Sequence, residues 1–164
     1  SRTTVSAVRP ERRSTRERAG SAARPAPTTG MYVLLVDDER VNRRLGARML
    51  QRLGCDYKCL EDGDQVADTL ATTSRPFDAI LMDIYMRRSD GSKVCEELRA
   101  AGVRLPIIAM TGTTGVRDVQ RFVEAGFDLV LPKPFDIKAM GRALSAGKAR
   151  RDKLNAEEDT KNGV

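Results

Sequence analysis

The sequence contains no histidine and no tryptophan, and aromatic residues make up only 4% of its 164 positions. Without histidine there is no Ser–His or Cys–His nucleophile pair, and the chain cannot itself carry a phosphohistidine. The three cysteines, Cys55, Cys59 and Cys95, have no histidine with which to complete a zinc site. No apolar stretch opens the chain, so no secretory signal is expected. An odd number of thiols then fits a reducing interior, a cytoplasmic location and cysteines used as packing residues. No apolar run approaches the roughly 18 residues that a membrane span needs, and no membrane contact is expected of this segment. The core has to be aliphatic, drawn from the 40% of residues that are apolar.

The net charge of +6 is unevenly placed. Residues 1–30 hold seven Arg against two Glu, residues 147–164 hold five basic against four acidic residues, and the stretch between them is neutral. The folded part therefore carries no overall field that would attract nucleic acid, and no specific nucleic-acid partner is expected. Residues 1–30 are rich in Arg, Ser, Thr, Ala and Pro. They contain too little apolar surface to offset ordering, and they read as a disordered linker. Residues 148–164 are charged, and beyond a turn or two of helix they too are expected to be largely disordered. The domain itself is assigned to residues 31–147.

Within that stretch, short apolar runs alternate with amphipathic ones. "MYVLLV", "DYKCL", "FDAILMD", "PIIAMTG" and "DLVLPKP" read as strands. Helical spacing follows each of them. The helices are carried by Val41, Leu45, Met49, Leu50 and Leu53, then by Asp62 to Thr73, by Gly91 to Ala101, by Val116 to Val123, and by Phe135 to about Gly147. Five strictly alternating βα units predict a flavodoxin-like, doubly wound parallel α/β sheet of strand order 2-1-3-4-5. The ligand site of such a sheet lies beyond the carboxyl ends of the strands.

Charged and polar residues fall on that rim. Asp37 and Asp38 follow the first strand, Asp83 the third, Thr111 the fourth and Lys133 the fifth. Carboxylates brought together repel unless a cation joins them. Mg²⁺ suits such an oxygen donor set, and it can neutralise an incoming phosphoryl group. Lys133 supplies a second cation, the Thr111 hydroxyl a donor, and a carboxylate is a competent nucleophile for phosphoryl transfer.

The motifs "LLVDDERVNR", "AILMDIYMRRSDG", "PIIAMTGTT" and "LVLPKPF" resemble the receiver domains of two-component response regulators over about residues 31–147. The resemblance implies that Asp83 accepts a phosphoryl group with Mg²⁺ as cofactor. It implies metal ligation by Asp37, Asp38, Asp83 and the Tyr85 backbone carbonyl. Thr111 would sense the phosphoryl group, and Lys133, on a cis Lys133–Pro134 bond, would pair with it. The implied partners are a histidine kinase or a histidine phosphotransfer protein, with a receiver homodimer as a further arrangement. The chain would then be a signalling phosphoacceptor rather than a turnover enzyme, read out on the face of its fourth helix, fifth strand and fifth helix. The arginine-rich linker, the opening Ser1 and "DDERVNR" resemble the receiver of a hybrid histidine kinase, and an excised segment of a larger protein is expected.

Four positions depart from the family pattern. Arg87 stands for the usual Pro and Ser89 for the usual Met, which predicts a more polar and more mobile loop after the acceptor. Gly112 stands for Ala. Val130 replaces the ring that turns inward with the threonine, which keeps open an alternative: a phosphorylation-independent docking domain, or pseudo-receiver. A phosphatase of the haloacid dehalogenase type fits poorly. It needs an Asp-x-Asp pair after its first strand, whereas here the acceptor follows the third strand with Tyr85 two positions on.

Overall fold

The computed structural model describes residues 28–163. Five strands, β1 (Tyr32–Val36), β2 (Asp56–Leu60), β3 (Ala79–Asp83), β4 (Ile107–Thr111) and β5 (Leu129–Pro132), form one parallel sheet in the order β2-β1-β3-β4-β5. The helices are α1 (Arg40–Arg52), α2 (Val66–Thr72), α3 (Gly91–Ala100), α4 (Val116–Ala125) and α5 (Ile137–Lys161). This is the flavodoxin-like arrangement expected from the sequence. One difference is local: the second helical stretch opens with a 3-10 turn over Gly63–Gln65, with Asp62 and Gln65 capping it reciprocally.

The central strands are continuous apolar runs because both of their faces are covered. Alternation sorts them into two cores. Leu34, Val36, Ile80, Met82, Ile107 and Ala109 point to one side and pack with Val66, Val94, Leu98 and Phe122 from α2, α3 and α4. Val33, Leu35, Leu81, Ile108 and Met110 point to the other side and pack with Leu50 of α1 and Met140 and Leu144 of α5. Cys95 is fully buried in the first core and Cys55 is buried in the second. Burial pushes the Cys95 thiol up to about 12.

Two boundaries differ from the sequence reading. Of the linker assigned to residues 1–30, the part up to residue 27 lies outside the described residues. Thr28 itself is packed: its hydroxyl donates to the Leu53 carbonyl at 3.2 Å, and the Gly30 N–H donates to the Gly54 carbonyl at 2.8 Å.

At the other end, the charged segment 148–161, expected to be largely disordered, continues α5 as helix to Lys161. Its charges are matched by residues far away in sequence. Arg151 reaches the fully buried Asp128 carboxylate at 2.8 Å, and Arg104 donates to the Asn155 carbonyl at 2.8 Å and pairs with Asp159 at 2.9 Å. Lys148 and Asp152 pair one turn apart at 3.1 Å.

Asp128 also accepts from the Ile107 N–H and from Arg99 of α3, both at 2.9 Å, so one carboxylate holds α3, β4 and α5 together. Removing a charge that two half-buried guanidinium groups face leaves them without a counter-ion. Asp128→Ala is expected to lower unfolding stability by about 3–5 kcal/mol, read from the urea midpoint. An unchanged midpoint would show that the cluster holds nothing.

Candidate functional site

Register determines which acids meet. Val36 lies level with Met82 across β1 and β3, so the next residues, Asp37 and Asp83, share one level at the carboxyl edge. Asp83 lies level with Met110, and Thr111 with Pro132. Lys133 follows immediately, its N–H bonded to the Thr111 carbonyl at 2.8 Å, and the Lys133–Pro134 bond is cis. Gly91 is required beside the site. A Cβ there would collide with the Asp83 carbonyl oxygen and would lie 2.9 Å from the Ile84 Cα, so no larger residue fits without moving the acid.

Asp37 and Asp83 are buried and Asp38 is half-buried, and one oxygen of each lies within 4.8 Å of the others. The Lys133 Nζ donates to Asp37 Oδ2 at 3.0 Å and to Asp83 Oδ1 at 3.2 Å. Asp83 Oδ1 also accepts from the Ile84 N–H at 3.0 Å. Asp37 Oδ1 accepts from the Glu39 N–H at 2.9 Å, and Arg43 donates to the Asp37 carbonyl at 2.8 Å. Asp38 Oδ2 accepts from the Arg87 N–H at 3.1 Å.

Burial and the neighbouring Asp37 charge push the Asp83 carboxyl up to about 6, with Lys133 pulling the other way. Burial works to lower the Lys133 ammonium, but its bonds to Asp37 and Asp83 outweigh this and raise it. Three converging carboxylates with one lysine among them keep an excess of negative charge and free oxygen lone pairs. That donor set fits a hard divalent cation such as Mg²⁺.

The structure thus brings together Asp37, Asp38, Asp83 and Lys133. Thr111 is buried at the neighbouring strand end, where its hydroxyl accepts from the Thr113 N–H at 3.1 Å and pairs with the Thr113 hydroxyl at 3.0 Å. The Tyr85 backbone is held in an antiparallel bridge with Asp90 while its side chain is exposed. Val130 is half-buried and lines a cleft of about 450 Å³ with Thr114, Val119 and Val123.

The loop after Asp83 is not loosened as its polar residues predicted. The Ser89 hydroxyl donates to the buried Asp62, the Arg88 N–H donates to the other Asp62 oxygen at 3.0 Å, and the Gly63 N–H donates to Ser89 Oγ at 3.1 Å. The polar residue gains a buried partner, and the loop is tied to the end of β2. In the sequence Asp62 reads only as a helix start. Arg88, still exposed, pairs with Asp64 at 2.8 Å.

A parallel sheet of this order with an acid-and-lysine cluster at its carboxyl rim defines a class of signalling domain. The profile described as "Response regulator receiver domain" matches residues 33–145, and the chain belongs to that family. It is 32% identical over 126 residues to the sensor histidine kinase RcsC of Salmonella typhi, covering 77% of this chain and 13% of that protein. It is 37% identical over 110 residues to the response regulator MprA of Mycobacterium avium, covering 67% of this chain and 47% of that protein. The chain thus spans less than half the length of either relative.

Among solved structures, the receiver domain of the sensor histidine kinase PA1611 from Pseudomonas aeruginosa is 33% identical. It matches with a TM-score of 0.66 over 74% of this chain and 99% of that one. A Francisella receiver domain at 22% identity matches with a TM-score of 0.68 over 74% and 98%, a likeness of fold. Among the described residues no helix is long and apolar enough to cross a membrane.

The raised Asp83 carboxyl makes stability depend on pH in the metal-free protein. Below about pH 4 the folded and unfolded states both hold the proton. Between there and about 6 the folded state keeps it while the unfolded state releases it, so stability falls as pH rises through that window. Asp83→Asn removes the effect. In EDTA at pH 7 it is expected to stabilise the protein by about 1–3 kcal/mol, with a flatter profile between about pH 4 and pH 6. Thermal melts across pH measure both, and a destabilised Asn variant would contradict the assignment.

Proposed function

We propose that this domain is the phosphoacceptor of a two-component phosphorelay, with Asp83 as the residue that takes the phosphoryl group. The observation that carries this reading is Lys133, whose Nζ lies 3.0 Å from Asp37 and 3.2 Å from Asp83 at the shared edge of β1, β3 and β5. It gives the nucleophile a fixed cation and two acidic neighbours.

Asp83 attacks the phosphorus of a donor phosphohistidine. An O–P bond forms, the N–P bond breaks, and the imidazole leaves and takes up a proton. Lys133 holds Asp83 aimed during the attack and then pairs with the added charge. Thr111 turns its hydroxyl from Thr113 to a phosphoryl oxygen. Asp37, Asp38, Asp83 and the Tyr85 carbonyl would hold Mg²⁺, which would supply neutralisation of the phosphoryl charge. The PA1611 receiver domain is described with a magnesium ion coordinated in its active-site cleft, which supports this cofactor.

The donor is a histidine kinase or histidine phosphotransfer protein. An apolar cleft of about 310 Å³ beside the site supports such a docking partner. Leu45, Met49, Met110 and Phe135 line it together with the polar Asp37, Asn42 and Lys133. The match to a segment of a sensor histidine kinase supports an origin within a hybrid kinase.

The output is a change on the α4–β5–α5 face. Val130 favours a second reading, phosphorylation-independent docking, because no ring fills the cleft where a switch aromatic would turn.

A small-molecule phosphodonor with Mg²⁺ is expected to add one phosphoryl group by intact-mass measurement, and Asp83→Asn to add none. Lys133→Ala slows labelling by about 10–100-fold. Equal labelling of the parent and Asp83→Asn proteins overturns the proposal. Equal partner affinity with and without a phosphoryl mimic assigns the domain to the docking reading.

A further inference from the structure

One charged side chain at the site has no part in the phosphoryl transfer above. Arg87 lies in the loop between β3 and α3, and that loop is closed on itself. The Gly91 N–H donates to the Ile84 carbonyl at 2.6 Å, the Met86 N–H donates to the Ser89 carbonyl at 3.2 Å, and Ser89 and Arg88 are bonded to Asp62.

The Arg87 backbone is thereby fixed against Asp38, with its N–H 3.1 Å from Asp38 Oδ2. Its guanidinium folds back over the same acid, Nε standing 3.8 Å from Asp38 Oδ2 and a terminal nitrogen 3.9 Å from Glu39. The Arg87 side chain is 75% exposed and that of Asp38 only 12%. The mostly exposed guanidinium thus lies alongside Asp38, whose own side chain is largely buried. Arg88, next in the chain, points elsewhere and pairs with Asp64 at 2.8 Å. Of the two neighbouring arginines, only Arg87 faces the acidic cluster.

We propose that Arg87 is a tethered competitor for the divalent cation, a positioning residue that sets how tightly the acidic cluster binds Mg²⁺. With the cluster free, its guanidinium partly neutralises Asp38. When a cation binds, that pairing is lost and the exposed side chain turns to solvent, while the backbone N–H keeps Asp38 in place. The inference rests on the reading of Asp37, Asp38 and Asp83 as cation ligands.

The test is calorimetric titration of the full chain with MgCl₂ and no phosphodonor. Arg87→Ala and Arg87→Gln are expected to bind Mg²⁺ about 2–5-fold more tightly than the parent, the range an exposed ion pair supports. The gap narrows as salt is raised. Arg88→Ala, with the same change in net charge, is expected to leave the affinity at the parent value. Unchanged or weaker binding in both Arg87 variants overturns the inference while leaving the cation site standing. An equal gain in Arg88→Ala also overturns it, by reducing the effect to net charge. Failure of every protein to bind Mg²⁺ overturns the cation-site reading and the inference with it.

Discussion

Asp37 and Asp83 end neighbouring strands at the same level, and both are buried. Placing two carboxylates there is unfavourable unless a cation lies between them. Lys133 is that cation, and much of the molecule serves to deliver it. The lysine comes from an edge strand separated from β1 by two others, so the sheet must be complete before the three side chains can meet. The two apolar layers hold that sheet, and the Thr111 carbonyl fixes the backbone of Lys133. Fold and site are thus one construction: the strands that make the core end in the residues that make the cluster.

The lysine does not finish the neutralisation. It leaves Asp83 harder to ionise than an ordinary carboxyl, and it leaves Asp38 outside its reach, with Arg87 as that acid's nearest guanidinium. An acidic cluster that is to admit a divalent cation needs this intermediate condition. Full neutralisation by protein cations would exclude a divalent ion, and none would leave the acids protonated. Arg87 sits where such a balance can be adjusted without touching the core, because its side chain is mostly in water while its backbone is fixed.

What could be read in advance follows from how local each feature is. The apolar runs of β1, β3 and β4 and the acids at their ends are local, and the strict alternation of strand and helix pattern leaves few topologies. The sheet order and the convergence of Asp37, Asp38, Asp83 and Lys133 were therefore legible. The helical course of residues 148–161 was not, because its explanation lies in Asp128 and Arg104, which no nearby pattern connects to Arg151, Asn155 and Asp159. Ser89 misled for the same reason. Alone it reads as a loosening of its loop, but opposite Asp62 it is an anchor.

That anchor bears on how a change at Asp83 can travel. The loop following Asp83 is tied to the end of β2 through Asp62, and its bridge between Tyr85 and Asp90 leads directly into α3. On the other side, among the described residues the Thr111 hydroxyl is bonded to its neighbour Thr113 alone, and α4 begins a few residues later beside the cleft that Val130 lines. A displacement follows the less constrained route. Under the phosphoacceptor reading proposed above, motion starting at the acid would pass through Thr111 into α4 rather than through the β3–α3 loop. With Val130 in place of a ring, that motion would be expressed as a shift of the helix over the cleft, since a valine has no rotamer change large enough to fill it.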